Sequence, residues 1–355
     1  MGPSAGRVVR RPRRRRRRCS ASGRPRASHP PPAWSVTRTP RPRTPRLWAV
    51  VGATGTGKTD LSLRLADALA RDGVSAEIVN ADAMQLYRGM DIGTAKLSVS
   101  ERRGIPHHLF DVLDVTDEAA VAWYQDSART TISEIFDRGA DAVLVGGSGL
   151  YVSSVIHDFR FPPHDDALRA ELEAELADQG AAVLFGRLQA LDPATAARVD
   201  PRNGRRVVRA LEVIAQGEQT HGAALPESPR LWHPRTALVG VHLDRAALVE
   251  RLDRRVERMW GAGLLDEVRR LRAKGLESGP TAARAIGYAQ ALDELDGTLT
   301  RAEAIAQTQA LTRRYARRQV SWFRRYEGLT WVDPDIDATE LIRSVTDADR
   351  SEAPA

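Results

Sequence analysis

A complete phosphate-binding loop near the beginning of the chain constrains the fold more than any other feature of the sequence. The loop, Gly52-Ala53-Thr54-Gly55-Thr56-Gly57-Lys58-Thr59, fits G-x-x-x-x-G-K-[S/T] and lies between an apolar segment and a stretch of helical leucine spacing. Its glycines let backbone N–H groups surround an anion, Lys58 adds a positive charge, and the Thr59 hydroxyl can ligate Mg²⁺. The loop therefore predicts a polyphosphate site. It leaves open which phosphate compound binds and whether a phosphoryl group moves.

From residue 47 onward, strand signals alternate with helix signals. Strands are expected at 47–51, 76–80, 108–112, 141–145 and 236–243, and helices at 57–71, 119–138, 165–178, 181–190, 202–216, 245–273, 284–296 and 301–326. Such alternation gives a parallel sheet with helices on both faces, and ligands bind at the carboxyl ends of its strands. We predict an α/β fold with a P-loop NTPase-like parallel sheet flanked by helices, a helical insertion domain and a helical C-terminal extension.

Changes in composition predict the domain boundaries. We expect a P-loop core domain with the C-terminal helices at 47–163 and 226–335, a helical insertion domain at 164–225, and a polar, frayed tail at 336–355. Residues 1–46 contain 15 Arg, no acidic residue and a run of Pro, so they cannot build a core and are expected to be disordered. This leader is either a nucleic-acid-binding arm or the product of a misplaced gene start. The second is favoured, because the chain has only three Lys and a general bias to Arg.

Composition excludes several classes of protein. The net charge of +7 comes from the leader, since the other residues carry 38 basic and 46 acidic side chains. A single cysteine permits neither a disulfide nor a cysteine zinc site within one chain. No apolar run approaches the roughly 20 residues that span a bilayer, and no apolar secretory signal is visible. We expect a cytoplasmic protein, without a membrane segment, that works as a monomer.

Basic residues cluster twice in this acidic body. The first cluster contains Arg202, Arg205, Arg206 and Arg209; the second contains Arg313, Arg314, Arg317, Arg318, Arg324 and Arg325, interleaved with Tyr315, Trp322, Phe323 and Tyr326. Arginine matches phosphate geometry, and aromatic rings stack on bases. A solvated helix face with aromatic core residues explains the same pattern, so the clusters alone leave nucleic-acid binding open.

The role of Asp82, just after the second predicted strand, is also open. Its carboxylate could hold Mg²⁺ through water or accept a proton.

Several motifs in the same order resemble those of the bacterial tRNA dimethylallyltransferases. The motifs lie at 52–59, 82–87, 92–96, 146–151, 285–288 and 312–319 with Trp322, and the resemblance covers about residues 47–332. It implies that a dimethylallyl group passes from dimethylallyl diphosphate to N6 of the adenosine 3′ to the anticodon of tRNA. It also implies a requirement for Mg²⁺ and the release of diphosphate.

The resemblance further implies roles for individual residues. Asp82 would accept the proton of the adenine amine with Ser148 beside it, the loop 52–59 and Arg255 would hold the diphosphate, and Thr59 would ligate Mg²⁺. The residues implied to contact tRNA are Asp82, Ala83, Met84, Gln85, Ser148, Arg169, Arg205, Arg206, Val207, Val208, Arg209, Arg313, Arg314, Arg317, Arg318, Gln319, Trp322 and Arg324. The family usually has Ser where this chain has Ala83 and Thr where it has Ser148, which puts a hydrogen bond from position 83 in doubt.

Three other functions remain as alternatives. A P-loop kinase that binds ATP and a small metabolite explains the loop and Asp82, but it gives no role to the arginine clusters. An isopentenyltransferase acting on free adenine nucleotides would need no long helical arm. A tRNA-binding module without enzymatic activity would not need a complete phosphate loop.

Overall fold

Six parallel strands form the sheet of the described part of the chain. The computed structural model describes residues 43–159, 161–162, 165–217 and 230–352. The strands are β1 (Leu47–Gly52), β2 (Ala76–Asn80), β3 (His107–His108), β4 (Asp141–Gly146), β5 (Thr236–Val241) and β6 (Thr330–Val332). Their order in the sheet is β3-β2-β4-β1-β5-β6, and each neighbouring pair is parallel. The predicted parallel α/β sheet is confirmed.

Helices follow the strands and cover the sheet. They are α1 (Lys58–Arg71), α2 (Val121–Asp137), α3 (Gly149–Ile156), α4 (Asp166–Gln179), α5 (Ala181–Leu191), α6 (Pro193–Ala196), α7 (Gly204–Ala215), α8 (Arg245–Gly261), α9 (Leu264–Arg272), α10 (Tyr288–Leu295), α11 (Arg301–Phe323) and α12 (Ala338–Glu352). The phosphate loop connects β1 to α1, as the sequence predicts. In the described part of the chain, none of these helices has the length and apolar character needed to cross a membrane.

The central strand β1 is buried on both faces. Leu47, Ala49 and Val51 belong to one apolar cluster, whereas Trp48 and Val50 belong to another. Successive side chains of a strand point to opposite faces, so the two clusters lie on the two sides of the sheet. This double burial explains why β1 is a continuous apolar run rather than an alternating one.

Helices α4–α7 bury their apolar side chains against one another. Their cluster comprises Leu172, Leu184, Leu188, Ala196, Val199, Val207, Val208, Ala210 and Leu211, with Leu168, Leu176, Phe185 and Ile214 partly buried around it. All of these residues belong to the segment expected to form a helical insertion. No residue of the sheet takes part in this described cluster.

Three predicted elements differ clearly from those in the structure. The helix expected at 284–296 is the shorter α10, which begins at Tyr288 because Gly287 before it has a φ of 93°. The strand expected at 108–112 stops at His108, because Leu109 and Asp111 have φ angles of 60° and 56°, which an extended strand does not allow. The single helix expected at 245–273 is two helices, α8 and α9, separated at Gly263, where φ is 96°. That left-handed backbone interrupts a helix and suits glycine.

The C-terminal residues form a helix that their polar composition did not predict. Residues 338–352, expected to fray, form α12, in which Leu341 is fully buried and Ile342 and Val345 are partly buried. The helix packs near α1, and Arg64 of α1 donates a hydrogen bond to the Ile336 carbonyl oxygen at 2.6 Å. Strand β6, which was not predicted, has only three residues and lies at the edge of the sheet.

The last residues of the expected leader pack against the sheet. Arg43 makes a two-pronged contact with the buried carboxylate of Asp141, each N–O distance being 2.7 Å. The same carboxylate accepts hydrogen bonds from the Arg46 backbone N–H and the Trp48 indole N–H. The expected disorder is therefore wrong for residues 43–46, and residues 1–42 lie outside the described residues.

Candidate active site

The phosphate loop has a backbone conformation that requires glycine, and the Lys58 side chain folds over it. Gly57 precedes α1 with a φ of 96°, and a side chain at Gly55, where φ is 81°, would meet Leu252 at 2.7 Å. Lys58 folds back over the loop and donates a hydrogen bond from Nζ to the Ala53 carbonyl oxygen at 2.7 Å. The amine thus lies above the backbone that would surround an anion.

A cavity of about 260 Å³ lies against this loop and is basic, since its cationic side chains outnumber the carboxylates of Asp60 and Asp82. Its wall includes Lys58 together with Arg251, Arg255 and Arg258 of α8. Burial lowers the pKa of Lys58 to about 8, with Arg255 acting in the same direction and Asp82 against it. Arg251 and Arg258 are exposed, whereas Lys58 and Arg255 are partly buried. Such a group of cations favours a polyanionic ligand, which would offset the burial of the two inner charges.

Two of these arginines were missed by the sequence analysis. Arg251 and Arg258 flank Arg255 at spacings of four and three residues, which place all three on one face of α8. That spacing was available in the sequence as a signal. Arg255 itself donates to the Thr54 hydroxyl at 3.3 Å and to the Thr94 carbonyl oxygen at 3.2 Å, and burial lowers its pKa.

Asp82 follows β2 and is fixed by its own backbone neighbourhood. Its Oδ1 accepts a hydrogen bond from the Met84 N–H at 2.9 Å, which caps the short 3₁₀ turn Ala83–Leu86. The Asn80 side chain binds the Asp82 backbone at both ends, accepting from its N–H and donating to its carbonyl oxygen. This turn directs the carboxylate toward the carboxyl edge of the sheet, where it lines the basic cavity.

A larger cavity of about 410 Å³ adjoins the basic one. The two share four lining residues: Thr54, Asp82, Thr94 and Arg255. The apolar part of the larger cavity comes mainly from Leu252, Val256, Met259, Ala285 and Ile286, and its polar part includes Arg205, Arg284, Tyr315 and Arg318. Asp82 therefore stands where an anion-binding cavity meets a mixed apolar and polar one.

Ser148 and Tyr315 lie beside Asp82 in the larger cavity. The Ser148 hydroxyl accepts a hydrogen bond from the Ala83 N–H at 3.4 Å, so the backbone at position 83 contacts Ser148 although its side chain is a methyl group. Burial raises the pKa of the Tyr315 hydroxyl, which hydrogen-bonds with Ser148, and the charge of Asp82 acts in the same direction. The sequence analysis named Tyr315 only as an aromatic among the arginines of the second cluster.

The motifs at 92–96 and 285–288 meet each other through one buried carboxylate. Glu267 accepts hydrogen bonds from the Ile92 N–H at 2.8 Å and from the Tyr288 hydroxyl at 2.6 Å. The Tyr288 ring covers Gly93 so closely that a side chain there would meet it at 2.4 Å. This packing fixes the Thr94 carbonyl oxygen, the acceptor of the Arg255 hydrogen bond. The motifs at 92–96 and 285–288 therefore hold in place the backbone that Arg255 contacts.

Met84 and Gln85, the other predicted residues of the turn, face different cavities. Met84 lines the larger cavity, and Gln85 lines the basic one. The Gln85 side-chain amide also donates to the Thr94 carbonyl oxygen at 3.1 Å.

The predicted tRNA-contacting residues of the α4–α7 segment have different surroundings. Arg205 lines the larger cavity and Arg206 is exposed. Arg169 and Arg209 both pair with the buried Glu212, at 2.8 and 2.9 Å. The predicted Val207 and Val208 are fully or almost fully buried in the apolar cluster of this segment, so their side chains face its core and not the surface.

The arginines of α11 face two different cavities. Arg318 lines the larger cavity with its guanidinium over the Tyr315 ring, whereas Arg317 and Arg324 line a separate groove between α8 and α11. Arg314 is exposed, and Arg313 forms an ion pair with Asp253 at 2.7 Å. Arg325, the last arginine of the second cluster, lies beyond the end of α11.

Gln319 and Trp322 were expected to contact tRNA; Gln319 is buried and Trp322 is partly buried against the core. Gln319 is 4% exposed, and its amide hydrogen-bonds the backbone of Thr54 and Gly147. The Trp322 ring covers Gly149, where a side chain would meet it at 2.5 Å, and its indole N–H donates to the Ser153 hydroxyl at 3.2 Å. The glycines of the 146–151 motif admit these two side chains.

The side chains around Thr59 supply oxygen atoms of the kind that bind Mg²⁺. Thr59 is exposed and lines the basic cavity with Asp60 and Asp82, so hydroxyl and carboxylate oxygens are the donors present. Mg²⁺ prefers oxygen ligands and usually takes few of them from the protein, with phosphate oxygens and water supplying the rest. No group of three or more acidic, His or Cys side chains able to hold a metal occurs among the described residues.

Comparison with known proteins gives matches along most of the chain. A family model described as IPP transferase matches residues 85–326. The tRNA dimethylallyltransferase of Leifsonia xyli subsp. xyli is 63% identical over 263 residues, covering 73% of this chain and 100% of that protein. The one from Clavibacter sepedonicus is 56% identical over 301 residues, covering 84% and 96%. The family model begins after the phosphate loop and Asp82, so those features stand independently of it.

Solved structures resemble the fold as well. The full-length tRNA isopentenylpyrophosphate transferase of Bacillus halodurans matches with a TM-score of 0.60 and 39% identity, covering 86% of this chain and 96% of that one. A eukaryotic dimethylallyltransferase acting on tRNA matches with a TM-score of 0.70 and 25% identity, covering 87% and 80%. Both comparisons extend well beyond the phosphate-loop core.

Proposed function

Because this chain belongs to the IPP transferase family, we propose that it transfers a dimethylallyl group from dimethylallyl diphosphate to N6 of the adenosine 3′ to the anticodon of tRNA, releasing diphosphate. The chain is an enzyme, and tRNA prenylation is its activity. The observation that supports the finer proposal is the position of Asp82. Its carboxylate lines both the basic cavity, suited to a diphosphate, and the larger cavity, suited to a base.

The basic cavity would hold the diphosphate of the donor. The loop N–H groups, Lys58 and Arg255 carry the positive charge or dipoles that a leaving diphosphate needs as the allylic C–O bond breaks. Their interactions strengthen while negative charge accumulates on the leaving oxygen, so they favour the transition state more than the bound donor. Arg251 and Arg258 add to the same field. The allylic tail would then lie on the adjacent apolar wall of α8.

The larger cavity would hold the adenine after it leaves the stack of the anticodon loop. An enzyme that modifies a base must extrude it, and the extruded base is held by stacking and hydrogen bonds. Tyr315 and Met84 offer such surfaces next to Asp82. As N6 attacks the allylic carbon, the new C–N bond forms, the C–O bond breaks, and Asp82 accepts the N6 proton.

We propose Mg²⁺ as the cofactor, with Thr59 as its protein ligand. When bound, the ion would neutralise charge on the diphosphate. Lys58 and the loop backbone act on the same group from the protein side.

The exposed arginines of α7 and of the α11 region would bind the tRNA backbone. Arg314, Arg317, Arg318 and Arg324 are exposed on or just after α11, and Arg206 is exposed on α7. Such guanidinium groups bind backbone phosphates and orient the anticodon arm, while the cavity contacts select the base. We also propose that the enzyme works as a monomer in the cytoplasm.

The direct test offers labelled dimethylallyl diphosphate to tRNA, AMP and ATP side by side. Label should enter only tRNA. A tRNA transcript in which guanosine replaces the adenosine 3′ to the anticodon should remain unlabelled. Label in AMP or ATP would make the protein a free-nucleotide isopentenyltransferase. In a parallel arm with γ-labelled ATP, phosphate transfer to a small molecule would establish the kinase instead.

A further inference from the structure

The side-chain amide of Gln319 connects three distant parts of the chain. Its Oε1 accepts a hydrogen bond from the Thr54 N–H at 2.8 Å, and its Nε2 donates to the Gly147 carbonyl oxygen at 2.7 Å. These partners are 265 and 172 residues away in the sequence. Because the residue is buried, both ends of the amide are committed to bonds within the protein.

The two backbone partners of Gln319 belong to the two halves of the site. Thr54 lies in the phosphate loop, and its hydroxyl accepts the hydrogen bond from Arg255. Gly147 immediately precedes Ser148, whose hydroxyl accepts from the Ala83 N–H, next to Asp82. Hydrogen bonds and short backbone links therefore connect Arg255 in the basic cavity, through Gln319, to Ser148 and to the backbone next to Asp82.

The sequence accommodates this amide at close range. A side chain on Gly147 would approach Gln319 Nε2 to 2.3 Å, a distance that packing does not allow. Glycine at 147 is thus required for the bond to Gln319. Replacing the amide by an apolar group would leave the Thr54 N–H and the Gly147 carbonyl oxygen without this partner in a buried place, which costs more than the bond itself contributes.

We propose that Gln319 is a positioning residue that fixes the phosphate loop relative to Asp82. It thereby holds the leaving diphosphate and the proton-accepting carboxylate at the separation that prenyl transfer requires. This inference rests on the proposed function. It gives Gln319 a role other than a contact with tRNA. The residue acts through Thr54 and Gly147 and does not touch either substrate.

The test compares Gln319→Met with Gln307→Met, the same change at an exposed position of α11. Methionine has a similar length but cannot form the two hydrogen bonds. Calorimetry would give the Kd of inorganic diphosphate, and steady-state assays would give kcat and the KM of each substrate. Gln319→Met should raise the diphosphate Kd and the donor KM by roughly 10-fold, the factor that corresponds to about 1.4 kcal/mol. It should also lower kcat, with the KM for tRNA within about twofold of the unaltered protein.

A second variant tests the donor role of the amide directly. In Gln319→Glu, an ionised carboxylate cannot donate to the Gly147 carbonyl oxygen and places a negative charge beside the phosphate loop. Burial raises the pKa of such a carboxyl group, and its protonated form can both donate and accept. The ratio of variant to unaltered kcat/KM for the donor should therefore rise as the pH falls from about 8 to about 5.5. This variant decides the question if Gln319→Met does not fold.

Three results would overturn the inference. One is a raised KM for tRNA with diphosphate binding unchanged, which would indicate a direct contact with tRNA. Another is equal behaviour of Gln319→Met and Gln307→Met. The third is a Gln319→Glu ratio that does not change with pH. Diphosphate binding is measured without turnover. If the unaltered protein binds diphosphate but fails to prenylate tRNA, the proposed function is refuted, and the effect of Gln319 on diphosphate binding can still be tested.

Discussion

The buried amine of Lys58 should give the enzyme a pH limit that can be measured. Burial lowers its pKa to about 8, while the amine remains within 2.7 Å of the Ala53 carbonyl oxygen. Below that pKa the amine is protonated and attracts diphosphate, and above it the amine is neutral and the attraction is lost. For one such group, the charged fraction falls from about nine-tenths at pH 7 to about one-tenth at pH 9. The kcat/KM for the donor should fall about tenfold between these two pH values.

The assay measures the kcat/KM of labelled dimethylallyl diphosphate at saturating tRNA from about pH 7 to about pH 9.5, a range that brackets the Lys58 pKa. Lys58→Arg is the control, because a guanidinium stays protonated throughout this range. Its activity will be lower, but the tenfold fall should disappear from its profile. Lys58→Met should lower the plateau at pH 7 by roughly 10- to 100-fold, the value of a charge-assisted hydrogen bond. A profile that stays flat to pH 9.5, or the same fall in Lys58→Arg, would refute the assignment.

Other predictions address the remaining parts of the site. Asp82→Asn should lower the single-turnover rate by roughly 10²- to 10⁴-fold while tRNA affinity is unchanged, and a near-normal rate would remove Asp82 as the base. Replacing Arg314, Arg317 and Arg318 by Gln should flatten the log–log salt dependence of tRNA binding by roughly one unit per lost phosphate contact, with diphosphate binding as the unaffected control. Glu267→Ala should lower the free energy of unfolding by about 3 kcal/mol in urea titrations, because two backbone N–H groups and a tyrosine hydroxyl lose their acceptor, and an unchanged midpoint would contradict this. Chelation of divalent cations should abolish turnover and leave tRNA binding intact.

The sequence predicted the elements whose signals are local. β2 has the expected bounds, and β1, β4, α1 and α2 lie within a residue or two of theirs, because apolar runs and helical spacing are read from neighbouring residues. The phosphate loop and Asp82 were also within reach, since a fixed spacing of residue types specifies them. α12 was missed because its few apolar side chains, Leu341 among them, are diluted by polar ones.

Roles that depend on distant partners could not be predicted. The family resemblance assigned Gln319 to tRNA contact together with its neighbouring arginines, whereas its backbone partners are more than a hundred residues away. Glu267 belongs to no motif, yet it joins two of them. In both cases the side chain's function is set by what the fold brings to it, and helical spacing carries no information about that.

The separate apolar cluster of α4–α7 has a consequence for how the protein opens. Side chains that pack only among themselves share a free energy of opening distinct from that of the sheet, and their backbone amides should exchange with solvent deuterium as one cooperative group. Arg205 projects from this group into the larger cavity. A molecule that occupies the cavity and contacts Arg205 will stabilise the closed form of the whole group, so amides of α7 should exchange more slowly in its presence.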